Sequence, residues 1–171
     1  ERAYEKRGEQ YLLIKSPPAS GKSRALMFIA LDKVINQGLK QGLIVVPECA
    51  IGASFRNTEL SKFGFWADWK VEPRWNLCLD GDDSVNASKV QAVKDFLQSD
   101  DKFLICTHAT FRFAVKELGV EAFDNRMIAI DEFHHVSANP ENRLGEYLKQ
   151  IIERDKTHQW QSCDCRRLQL L

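Results

Sequence analysis

Residues 15–23 read KSPPASGKS, directly after the apolar run YLLI at 11–14. A buried-looking run that stops at prolines and small residues, then resumes with Gly21-Lys22-Ser23, is either a plain turn or a cradle for phosphates. The eight residues 16–23 have the spacing G-x-x-x-x-G-K-S/T, with Ser16 in the place of the first glycine. A loop of this length wraps a polyphosphate in backbone N–H groups, and a helix that follows adds its positive end. Gly21 lets the backbone approach closely, Lys22 reaches the outer phosphates, and Ser23 offers a hydroxyl to Mg²⁺. The nucleotide-binding set is therefore Ser16, Pro17, Pro18, Ala19, Ser20, Gly21, Lys22 and Ser23.

The surroundings decide between turn and cradle. Nearly continuous apolar runs at 11–15, 43–47, 102–107 and 127–131 read as strands covered on both faces, with 75–79 a further short one. Between them, 21–37, 48–62, 86–98 and 107–118 carry apolar residues at helical spacing. Val90, Val93, Phe96 and Leu97 make the clearest stripe. Alternating strand and helix imply right-handed crossovers and an open, mostly parallel α/β sheet in three layers. Residues 139–155 read as a polar loop entering one more helix, and 156–171 show no clear period. The expected domain therefore runs over 1–155, with 156–171 as a tail.

Composition sets limits. A chain of 171 residues suits one domain with a real core. Lys plus Arg equals Asp plus Glu, at 24 each, so no global field draws it to a membrane or nucleic acid. No apolar segment approaches the roughly 20 residues that span a bilayer. Five scattered cysteines, three inside apolar runs, suggest reduced thiols and a cytoplasmic location.

A phosphate cradle needs a distant acid to organise Mg²⁺ and an attacking water. The run MIAIDE at 127–132 is an apolar strand ending in two acids, about 110 residues after Lys22. Asp131 stands where a Mg²⁺-organising carboxylate belongs, and Glu132 is the candidate base. Asp131, Glu132 and Lys22 form the expected catalytic group, with Ser23 and Asp131 as the metal ligands.

DEFH at 131–134 is a D-E-x-H box. Together with SPPASGKS it resembles the first, RecA-like motor domain of a superfamily-2 helicase or translocase, and more loosely the helicase-type subunits of restriction enzymes. The resemblance spans about residues 10–136. It implies an ATP hydrolase that moves on DNA or RNA, with ATP and Mg²⁺ as ligands. It also implies a second RecA-like domain, absent from this chain, whose arginine would complete the site. LIVVPECAIGASF at 43–55 and LICTHATF at 104–111 are similar to that family's two backbone-contacting segments. They imply Pro47 and Thr107 as nucleic-acid contacts. Arg112 and Lys116, one helical turn apart in the stretch that follows, either track a phosphate backbone or form a solvated helix face. His134 would link nucleotide state to the partner domain. The sequence departs from the family at Ala19, where a glycine is usual, and at Glu48, whose charge repels a phosphate. A Ser-Ala-Thr motif is not evident after the box.

Other groups were weighed. His134 and His135 are adjacent and point apart on any regular element, so a shared metal is disfavoured. His108 reads as a hydrogen-bonded strand-end residue. Phe63, Phe65, Trp66 and Trp69 alternate with Lys62 and Lys70, as a core patch or as a base-stacking surface. Two rival functions stay open: a P-loop ATPase or kinase acting on something other than nucleic acid, and a non-catalytic nucleotide-binding module.

Overall fold

The computed structural model describes residues 5–9, 11–15, 17, 20–79, 87–133, 143–158 and 168–170, with backbone alone for 155–158 and 168–170. Its centre is β2 (Gln41–Val46), every residue of which is buried. It pairs in parallel with β3 (Phe103–Thr107) on one side and β4 (Arg126–Ile130) on the other, so that Val45 aligns with both Cys106 and Ile130. Burying one such Val, Leu or Ile side chain contributes about 1.5–3 kcal/mol, which makes this trio of strands the stable heart of the domain. The two-residue β1 (Leu12–Leu13) and β5 (Leu168–Leu170) complete a sheet ordered β1-β5-β4-β2-β3, parallel throughout.

Helix α1 (Lys22–Leu31) follows β1 and buries Leu26, Met27, Ile29, Ala30 and Leu31. It runs on into a π-helical turn, Asp32–Asn36. There the wholly buried Lys33 ammonium donates to the Glu9 carbonyl at 2.7 Å and to Gln37 Oε1 at 3.1 Å. α2 (Cys49–Gly52) follows β2, and α3 (Ala87–Gln98) precedes β3. α4 (His108–Leu118) and α5 (Leu144–His158) come next, with α4 touching both α3 and α5. Helix, sheet and helix layers make this a RecA-like α/β domain.

At the amino ends of the strands a polar lattice closes the sheet. The Arg126 guanidinium, 8% exposed, donates to Gln41 Oε1 and to the carbonyls of Leu97, Ala122 and Asp124. Gln41 Nε2 in turn donates to the carbonyls of Phe96, Ser99 and Asp101.

Three expectations need correction. The helix expected over 48–62 stops at Gly52 and continues as a 3₁₀ turn, Ala53–Phe55. Asn57 Oδ1 accepts the Val71 N–H, Thr58 Oγ1 donates to the Arg56 carbonyl, and Thr58 exchanges backbone bonds with Trp69. Short polar side chains have offered the backbone an alternative to the helix. The run 75–79 is no strand; a 3₁₀ turn, Pro73–Trp75, leads to one parallel bridge between Asn76 and Ile105. Past residue 155, α5 continues to His158, and β5 lies inside the sheet between β1 and β4.

Candidate active site

Parallel strands bring their carboxyl ends to one edge, and the candidate residues collect there. Ahead of α1, Ser20 N–H donates to the Pro17 carbonyl at 3.4 Å, closing a turn. Gly21 then adopts φ +83°, a left-handed conformation that glycine accepts without steric cost, and caps the helix. Gly21, at the N-cap, has no side chain with which to satisfy the first N–H groups of α1. Those donors and the helix dipole therefore face the loop, where an anion is favoured. Ser16, Pro18, Ala19 and His134 lie outside the described residues.

Lys22 opens α1 and extends to the end of β4, where its Nζ donates to Glu132 Oε1 at 3.1 Å. Both side chains are about a quarter exposed, so water screens the pair only in part. Asp131 extends the ladder by one residue, its N–H donating to the Val45 carbonyl at 2.8 Å. Its carboxylate is buried and accepts the Glu132 N–H at 3.0 Å. Burial pushes the Asp131 carboxyl above the ordinary aspartate range, and the nearby Glu132 charge pushes the same way. The Glu132 hydrogen bond and the Lys22 charge pull against them.

Glu132 itself sits at φ +52°. A side chain in that region costs about 1–2 kcal/mol, so the turn is held by its neighbours. One of them is His108, the first residue of α4, whose Nε2 donates to the Asp131 carbonyl at 3.0 Å. Lys22 is thus brought to the Asp131–Glu132 turn from about 110 positions away in the chain. Ser23 follows Lys22 in the first turn, half-buried.

The remaining candidates share the same edge. Pro47 directly follows β2 and is half-buried, with an exposed Glu48 beside it. Thr107 ends β3, is 3% exposed, and accepts the Thr110 N–H at 3.2 Å as the cap of α4. Its hydroxyl is committed to the fold, so any contact with a ligand there falls to its backbone. Arg112 lies along α4 with its guanidinium 5.0 Å from the Phe113 ring centre. The positioning contact of His108 and the left-handed turn at Glu132 were not read as site features from sequence. A histidine directly after the strand-end threonine was the one available signal.

A magnesium ion fits the donors present. The Ser23 hydroxyl and the Asp131 carboxylate are hard oxygen ligands, and a buried carboxylate disfavours carrying its charge alone. Among the described residues no three His, Cys, Asp or Glu side chains cluster as a metal cage. Mg²⁺ beside a triphosphate draws its other ligands from phosphates and water, so it needs no such cage.

The comparisons with known proteins agree. The sequence profile of the DEAD/DEAH box helicase family matches residues 2–166. The chain is 57% identical over 157 residues to "Putative ATP-dependent helicase YeeB" of Bacillus subtilis (strain 168). That match covers 92% of this chain and 26% of the relative's length, so the chain spans about a quarter of that protein. Among the described residues no helix is long and apolar enough to cross a membrane. With a family profile that covers almost the whole chain, this is a member of the DEAD/DEAH box helicase family.

Proposed function

We propose that this domain is the ATP-hydrolysing N-terminal motor half of a nucleic-acid-dependent helicase or translocase, coupling hydrolysis to movement on DNA or RNA. The observation that carries the reading is the 3.1 Å approach of Lys22 Nζ to Glu132 beside the buried Asp131. An ammonium ion, a desolvated carboxylate and a second carboxylate at one strand end are what phosphoryl transfer to water needs.

In this reading the N–H groups at the start of α1 and the Lys22 ammonium hold the outer phosphates. Ser23 and Asp131 would hold Mg²⁺, which would neutralise charge on the phosphate oxygens. Glu132, released from Lys22 as the amine turns to the phosphates, accepts a proton from the attacking water. His108 keeps the Asp131–Glu132 turn aimed. Pro47, the Thr107 backbone and Arg112 border the track for the nucleic acid. A second RecA-like domain would supply an arginine across the cleft, worth about 10³–10⁵ in rate, so the isolated domain is expected to turn over slowly. The Cys49, Cys78 and Cys106 thiols are buried and not joined in disulfides, which supports a cytoplasmic setting.

The test is steady-state ATPase activity of the full-length protein with and without single- and double-stranded DNA and RNA. Stimulation by nucleic acid is expected. ATP turnover indifferent to every nucleic acid would favour an ATPase or kinase with another substrate.

A further inference from the structure

We propose that the open cleft between α1 and residues 54–70 is an additional contact site for a single strand of DNA or RNA, one unstacked base lying on Phe63 and the phosphates on Arg56 and Lys70. The proposal rests on the nucleic-acid reading above and deepens it, since none of these residues belongs to the strand-end edge.

The cleft has a volume of about 780 Å³. Arg24, Arg56, Lys62 and Lys70 line it together with only two acids, Glu59 and Asp68. In a chain whose charges cancel, this is a local positive excess. The acids are already engaged. Glu59 pairs with Lys62. The Asp68 carboxylate accepts the Ser61 N–H at 3.0 Å, and hydrogen bonding to Ser61 holds it below the ordinary aspartate range. Lys70 acts on Asp68 only as a nearby charge. Arg24, Arg56 and Lys70 form no direct ion pair among the described residues.

The apolar part of the cleft divides in two. Met27 and Trp69 form a buried floor, and the Trp69 indole N–H is bound to the Phe55 carbonyl at 2.8 Å, so that ring belongs to the fold. Phe63 is different: it is 63% exposed, with the Arg24 guanidinium 5.3 Å from its ring centre. An exposed aromatic ring in a cleft also lined by Arg56 and Lys70, which form no ion pair among the described residues, is the kind of arrangement that binds single strands, because every base has a π-face and every nucleotide a phosphate. A duplex keeps its bases stacked and has no face to offer Phe63. Side-chain cations, rather than a nest of backbone N–H groups, suit a run of singly charged phosphodiesters. Arg24 stands two residues after Lys22 in the first turn of α1, so a strand held here touches the helix that carries the phosphate-binding lysine.

The experiment measures anisotropy of fluorescein-labelled oligo-dT and oligo-U, roughly 20 nucleotides long, with the full-length protein across a salt series. Phe63→Ala is expected to weaken binding about tenfold, the effect of one lost base–aromatic stack. Phe63→Tyr should restore it. Arg56→Ala combined with Lys70→Ala should flatten the log–log salt slope by about 1.4, at about 0.7 per phosphate. Unchanged affinity and slope in these variants, with weakening in Arg112→Ala/Lys116→Ala, overturns the cleft while leaving the nucleic-acid reading intact. Failure of the wild-type protein to bind either oligonucleotide overturns both. Loss in Phe63→Ala without recovery in Phe63→Tyr overturns the stacking contact.

Discussion

Lys22 and Glu132 neutralise one another across 3.1 Å, although the proposed mechanism gives each a different task once a nucleotide arrives. The amine must leave the carboxylate for the phosphates, so nucleotide binding works against this pair. An ion pair that water still reaches in part is worth up to about 1 kcal/mol. Glu132→Gln should therefore tighten nucleotide binding by a factor of about 2 to 5 while turnover falls by about 10²–10⁴, the usual worth of a general base. Titration with a fluorescent ATP analogue, paired with phosphate release, separates the two effects.

In the proposed mechanism Asp131 serves the chemistry at the expense of stability. Burial raises its pKa in the folded state, so the fold holds that proton more tightly than the unfolded chain does. Its contribution is thus most favourable below the ordinary value of 3.8 and is lost as pH rises through the raised folded value. Asp131→Asn should abolish this slope and melt higher at neutral pH, by about 2–4 °C for each kcal/mol recovered. Thermal unfolding across pH 3 to 8, roughly the span in which a raised carboxyl titrates, checks it. ATP turnover should fall in the same variant.

His108 should act on rate rather than affinity. Its bond to the Asp131 carbonyl steadies the turn that puts Glu132 at φ +52°. Removing it in His108→Ala should lower kcat about tenfold, the scale of one hydrogen bond, with KM for ATP little changed. His108→Gln keeps an N–H at similar reach and should recover most of the rate.

Gly52 tests the packing behind β2 and β3. A Cβ added there would lie 2.6 Å from Cys78 Cβ and 2.9 Å from its Sγ, in a buried spot with no room to yield. Gly52→Ala should destabilise the domain by about 1–3 kcal/mol, read as a lower urea midpoint with an unchanged slope.

The start of α1 at Lys22, the acid pair at the end of β4 and the three central strands were legible because each depends on local pattern: apolar runs of strand length and fixed spacing within a motif. The broken helix after residue 52 was not, since its cause is a tertiary exchange between Thr58 and Trp69. The apolar spacing of 48–62 was instead serving a folded-over loop that buries Phe55, Leu60 and Trp69. The aromatic cluster at 63–69 was legible as a cluster but not in its division. Only coordinates separate the core ring of Trp69 from the solvent-facing ring of Phe63. Likewise, the left-handed turn at Glu132 leaves no trace in residue type, because a glutamate gives no warning of a conformation that glycine usually marks.

The lattice of Arg126 and Gln41 divides the domain into a fixed base and an adjustable rim. Six carbonyls from two separate segments, 96–101 and 122–124, are tied to two side chains at the amino ends of β2 and β4. Loosening any one of them strands a buried polar group. In the proposed motor this end is expected to move as one solid piece, with ligand-driven rearrangement in the loops at the opposite end.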